Sequence, residues 1–126
     1  MSFKVEKLDK CTVIRVMTPK LNSLISPELK GLFNQLSEEG AKNIVLDLSN
    51  AKYCDSSGLS AILIGNRLCS GSNGSFVICG LNDVIKNLIQ LSRLDNIIEI
   101  TPTAEEAHDM ILLNEIESEF NQDDKN

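Results

Sequence analysis

The chain has 126 residues, 12 Lys and Arg against 18 Asp and Glu, and a formal net charge of −6. With 42% hydrophobic and 24% charged residues it can fill the core of one domain, an aliphatic core, since there are four Phe, one Tyr and no Trp. The acidic balance argues against nucleic acid as a direct ligand, and no apolar run approaches the ~20 residues needed to span a bilayer.

The first two strands are expected over residues 3–7 and 11–17, the second rich in β-branched residues, with Leu8-Asp9-Lys10 turning between them. Pro19 ends the second strand. Ser26-Pro27 opens a helix, Ser26 as N-cap and Pro27 at its first position. Leu29, Leu32, Phe33 and Leu36 form its apolar stripe, and Gly40 stands where a C-terminal glycine belongs.

Residues 43–48 are nearly all apolar, as in a strand covered on both faces. A helix over 56–70 follows, apolar almost all round, which must pack on two sides or present one face to a partner. Gly71-Ser72-Asn73-Gly74 turns the chain into a buried strand, Ser75 to Cys79. Asn82 or Asp83 caps a helix bearing Val84, Ile85, Leu88 and Ile89. Residues 96–100 form a last strand, and Thr103 with Glu106 forms a capping box for a final helix carrying Ala107, Met110 and Ile111.

This order predicts one α/β domain with a mixed, mostly parallel sheet, about four helices and an antiparallel hairpin at one edge. The domain is expected over 1–113 and a polar tail over 114–126, disordered or a frayed helix end. Residues 115–126 hold five acids and one base, a net of −4, whereas residues 1–114 are near balance at −2.

Cys11, Cys54, Cys69 and Cys79 contain no Cys-x-x-Cys pair, so no metal site is expected and buried thiols are the simplest reading. A redox role enters only for Cys54, through its neighbours. The N-terminus alternates without a signal-peptide core, which points to the cytoplasm. His108, the single histidine, lies far in sequence from any serine cluster, so no catalytic triad is expected. The 71–74 turn lacks the Lys-Ser/Thr of a phosphate-binding loop, and no cofactor is expected.

The most informative stretch is Tyr53-Cys54-Asp55-Ser56-Ser57-Gly58-Leu59, which follows a buried strand and opens a helix. Capping alone accounts for Asp55, Ser56 and Ser57. A serine hydroxyl at an exposed helix start also suits phosphorylation, because the positive end of the helix dipole tolerates an anion.

In this strand–loop–helix context the motif resembles the signature of the STAS family, named after sulfate transporters and bacterial anti-sigma factor antagonists. The resemblance extends over residues 3–113. It implies a phospho-acceptor at Ser56 and a partner surface comprising Asn22, Ser23, Asp55, Ser56, Ser57, Gly58, Leu59 and Ile62. Asn22 stands where many members carry an acidic residue, and Pro19 where they carry glycine.

By that resemblance the unphosphorylated domain captures an anti-sigma factor and so frees a sigma factor. The anti-sigma factor is also a serine kinase that modifies the domain, and a serine phosphatase restores it. The domain is then a substrate rather than an enzyme, working as a monomer with no membrane insertion. A second reading keeps the domain as a stand-alone regulatory subunit of a membrane transporter. A third, a nucleotide-binding protein or weak NTPase, lacks a phosphate-binding loop in its favour.

Overall fold

The structure, a computed structural model, describes residues 2–124, with side chains through Phe120. Strands β1 (Phe3–Lys7) and β2 (Thr12–Val16) form the antiparallel hairpin, with Phe3 opposite Val16 and Lys7 opposite Thr12. Strands β4 (Ile44–Asp47), β6 (Phe76–Cys79) and β7 (Glu99–Thr101) then add in parallel, giving the order β1-β2-β4-β6-β7. The mixed sheet with its hairpin at one edge is as expected.

Helices α1 (Ser26–Glu38), α2 (Ser56–Gly71) and α3 (Asp83–Leu91) contribute to one core, and α4 (Ala104–Asp124) to the other. Alternation along the strands divides the side chains between these cores. Ile14, Ile44, Leu46, Phe76 and Ile78 join α1, α2 and α3, while Val13, Val45, Val77 and Cys79 meet Ala107 and Ile111 of α4. Both faces being covered, every residue of β4 and β6 is buried, which explains their nearly unbroken apolar sequence.

In α1 the expected stripe is the buried face: Leu29, Phe33 and Leu36 are buried and Leu32 packs beside them. The rings of Phe33 and Phe76 meet edge to face at 5.6 Å, close over Gly65 of α2. Gly40 adopts φ +94°, and it ends α1 as expected: its N–H donates to Ser37 O at 3.1 Å while Ala41 N–H donates to Leu36 O at 2.9 Å.

Three local expectations change. Ser26 does not cap α1, since the N-cap is Ile25 and no side chain caps it; the Ser26 hydroxyl instead donates back to Asn22 O at 2.7 Å. The last strand starts at Glu99 rather than 96, because Arg93 takes a left-handed conformation (φ 60°) and leads into a 3-10 turn, Leu94–Asn96. Ile98 N–H donates to Leu94 O at 2.9 Å, so the turn claims residues that would otherwise extend the strand. Finally, the expected boundary at 113 falls inside α4. Asn114 donates to Ser75 Oγ at 3.1 Å, and Glu115 accepts from Asn43 at 2.9 Å and pairs with Lys42 at 3.2 Å. Lys125 and Asn126 lie outside the described residues.

Candidate functional site

Two short strands absent from the sequence reading build the site. Strand β3 (Lys20–Leu21) pairs in parallel with β5 (Tyr53–Cys54), placing Leu21 opposite Cys54. Pro19 O accepts from the N–H groups of Lys52 and Tyr53, at 2.7 and 3.1 Å, and Leu21 O accepts from Asp55 N–H at 3.2 Å. This second, two-stranded sheet sets the Asn22–Ile25 turn beside the start of α2. No apolar periodicity can announce strands of two residues, which is why the sequence hides them.

Asp55 is the N-cap of α2. Its Oδ1 accepts from Gly58 N–H at 3.0 Å and from the Ser57 hydroxyl at 2.6 Å. Its backbone carbonyl accepts from Leu59 N–H at 3.0 Å. The Ser57 hydroxyl, then the Gly58 amide, hold the Asp55 carboxyl below its ordinary 3.8, with smaller contributions from the Ser57 and Ser23 amides. Across the gap Ser57 Oγ stands 3.2 Å from Ser26 Oγ. Each hydroxyl has one hydrogen, already directed to Asp55 and to Asn22 O respectively, so this contact adds packing rather than a third full bond.

Ser56 differs from its neighbour. It is exposed at the first position of α2, and among the described residues its hydroxyl makes no hydrogen bond. Ser23 is also exposed, while Asn22, Asp55, Ser57 and Leu59 are partly exposed. Asn22 uses its Oδ1 to accept Leu24 N–H at 3.0 Å and so shapes its own turn.

Two residues expected on the partner surface belong elsewhere. Ile62 is fully buried among the residues of the α1–α2–α3 core, because α2 turns that face toward the sheet. Gly58 is buried beneath the site, where a Cβ would lie 2.6 Å from both Cys54 Sγ and Leu21 O. Its role is to let α2 approach β3 and β5.

The sequence reading missed four exposed apolar side chains at this end of the fold. Leu24, 87% exposed, lies in the turn after Asn22. Tyr53, Val84 and Leu91 are exposed and, with Ser56 and Leu88, line a shallow groove between the start of α2 and α3. Helix α3 buries only Ile85 and Ile89, so Val84 and Leu91, seven residues apart, form a separate outward stripe. The signal was present as too many apolar positions for one core face.

Cys54 is 4% exposed, and burial followed by the nearby Asp55 charge pushes its thiol up to about 12. The reactive thiolate is thereby suppressed. All four cysteines are free and buried, as expected of packing residues. Among the described residues there is no group of three or more His, Cys, Asp or Glu that could hold a metal ion, and no helix is long and apolar enough to cross a membrane.

The Asp55 bonds make a test. The depressed folded value means that Asp55 stabilises the fold in full above its unfolded value near 4, and that this is lost as pH falls through the lower folded value. Asp55→Asn keeps an acceptor but cannot titrate. Thermal melts across the acid range should show a shallower loss of stability below about pH 4 in Asp55→Asn than in the parent. Parallel curves would show that Asp55 contributes nothing to acid sensitivity.

The hairpin-edged mixed sheet and the Asp-Ser-Ser-Gly-Leu helix start define a STAS-type α/β domain. The STAS domain profile matches residues 2–107, and the chain belongs to that family. A Thermotoga maritima protein described as an anti-sigma factor antagonist is 31% identical over 78 residues, which cover 62% of this chain and 69% of the relative. A crystal structure from the same organism, bearing the same description, superposes with a TM-score of 0.78 at 28% identity, covering 86% of this chain and 93% of that one. SpoIIAA, a Bacillus cell fate determinant solved in its phosphorylated form, superposes with a TM-score of 0.69 at 22% identity, covering 86% and 98%. At that identity the likeness is one of fold.

Proposed function

We propose that this chain is a phosphorylation-switched anti-sigma factor antagonist. Unphosphorylated, it binds an anti-sigma factor through the end of the fold around Ser56, Ser23, Leu59 and the Asn22 turn, and so releases a sigma factor. The anti-sigma factor, acting as a serine kinase, transfers a phosphoryl group from ATP to Ser56, and a serine phosphatase removes it. The antagonist names of the relatives support the role, and the existence of a phosphorylated protein of this fold supports the modification.

The observation that carries the choice of residue is the inequality of two adjacent serines. The Ser57 hydroxyl is engaged at 2.6 Å by the Asp55 carboxylate, whereas Ser56 is exposed with its hydroxyl uncommitted. Phosphorylating Ser57 would first cost its charge-assisted bond to Asp55, a cost that Ser56 does not carry. The N-terminal end of α2 also tolerates added negative charge.

Incubation with an anti-sigma kinase and ATP, followed by peptide mass mapping, should place one phosphate on Ser56. Ser56→Ala should abolish it and Ser57→Ala should retain it. Phosphate on Ser57 or outside α2 would overturn the assignment.

A further inference from the structure

The second surface lies at the other end of the chain. Helix α4 presses Ala107 and Ile111 against the sheet, then ties Asn114 and Glu115 to Ser75, Asn43 and Lys42, which flank the starts of β4 and β6. It continues to Asp124, past the family match that ends at 107. The nine residues after Glu115 carry the helix ~14 Å further. Asn43 and Lys42 precede the start of β4, whereas Ser56 follows its C-terminal end by way of β5, so the two surfaces flank opposite ends of that strand.

The outward face of α4 carries a stripe of Leu113, Ile116 and Phe120, which are 61%, 49% and 65% exposed. Their spacing of three and four residues aligns them on one side of the helix. Glu117 and Glu119 are exposed beside them, and Glu105, Glu106 and Asp109 are exposed toward the start of the helix. From Ala104 to Asp124 there are eight acids and not one Lys or Arg. Glu115 is answered by Lys42, but the exposed charged residues flanking the stripe along α4, Glu117 and Glu119, are acidic, and they favour an occupant of opposite charge. A second copy would set acid against acid. Anionic membranes are disfavoured by the same charge.

We propose that this face of α4 docks a basic amphipathic helix of a partner protein, with Leu113, Ile116 and Phe120 as apolar anchors and Glu117 and Glu119 meeting Lys or Arg on its flanks. The surface is independent of Ser56 and can be occupied in either phosphorylation state.

The test is a fluorescence anisotropy titration of the full chain with a labelled synthetic helix, Leu at i, i+3, i+4 and i+7 and Lys or Arg elsewhere. A scrambled peptide of equal composition is the control, and sedimentation at micromolar concentration reports the oligomeric state. Saturable binding of the amphipathic peptide, about tenfold weaker in Ile116→Ser/Phe120→Ser and weakened again in Glu117→Lys/Glu119→Lys, is expected. Both pairs are exposed, and unchanged circular dichroism and melting would establish that each variant folds. Three results would overturn the proposal: equal binding of the scrambled peptide, equal binding by the Ile116→Ser/Phe120→Ser variant, or a dimer of the parent that this variant converts to a monomer.

Discussion

Phosphorylation of Ser56, or Ser56→Asp as its partial mimic, should leave the melting temperature nearly unchanged and sharply weaken binding to the anti-sigma partner. A phosphate adds about −1.5 to −2 charge. Within the domain the helix start faces no core at this point: Ser56 is exposed, and the N–H groups of Gly58 and Leu59 are already satisfied by Asp55. The folded state therefore neither gains a strong ligand for the phosphate nor buries it. In a complex the same charge would be driven under a partner surface beside ionised Asp55. Desolvating it without a counter-ion costs several kcal/mol. About 4 kcal/mol corresponds to roughly 1,000-fold in Kd. Calorimetric titration of the phosphorylated and unmodified domains against the partner checks this, and the mimic should show a smaller loss because it carries less charge. Equal affinities would remove the switch, whereas a large fall in melting temperature would mean that the charge acts on the fold.

Gly58→Val should be the most damaging single change near the site, by about 3 kcal/mol. The glycine is helical, so conformational freedom is not its purpose. A Cβ there would come within 2.6 Å of the Leu21 carbonyl, a backbone atom that cannot rotate away, and of Cys54 Sγ. Helix α2 would have to retreat from the β3–β5 pair, carrying Asp55 and Ser56 with it. Gly31, on the exposed side of α1, is the control: nothing lies within 4 Å of its added Cβ, so Gly31→Ala should stabilise by about 0.5–1 kcal/mol through helix propensity. Chemical denaturation of both variants checks the contrast. A Gly58→Val protein as stable as the parent would mean that the packing of α2 on β3 and β5 is looser than the distances indicate.

Two surface patches differ in character. Around Ser56 lie the exposed apolar side chains Leu24, Tyr53, Val84 and Leu91, at the site proposed to be switched by phosphate. Along α4 the apolar stripe is flanked by negative charge, which suits the basic partner proposed for it. The net charge of −6 is thus largely a property of one helix and its end, not of the Ser56 site.

By itself the sequence determined the alternation of strands and helices, the hairpin at the sheet edge, the buried face of α1 and the position of the Asp55-Ser56-Ser57 helix start. These follow from local rules: period, capping chemistry and turn residues act over a few neighbouring positions. It also placed Ile62 and Gly58 on a surface to which neither belongs, because membership of a motif does not say which way a helix turns once docked. The tertiary structure alone decided that Ile62 enters the core, that two-residue strands bring Asn22 beside Asp55, and that Ser57 rather than Ser56 surrenders its hydroxyl to the carboxylate. The physical reason is separation along the chain. Leu21 and Cys54 meet across more than thirty residues, and no local pattern encodes a contact whose partners are so far apart.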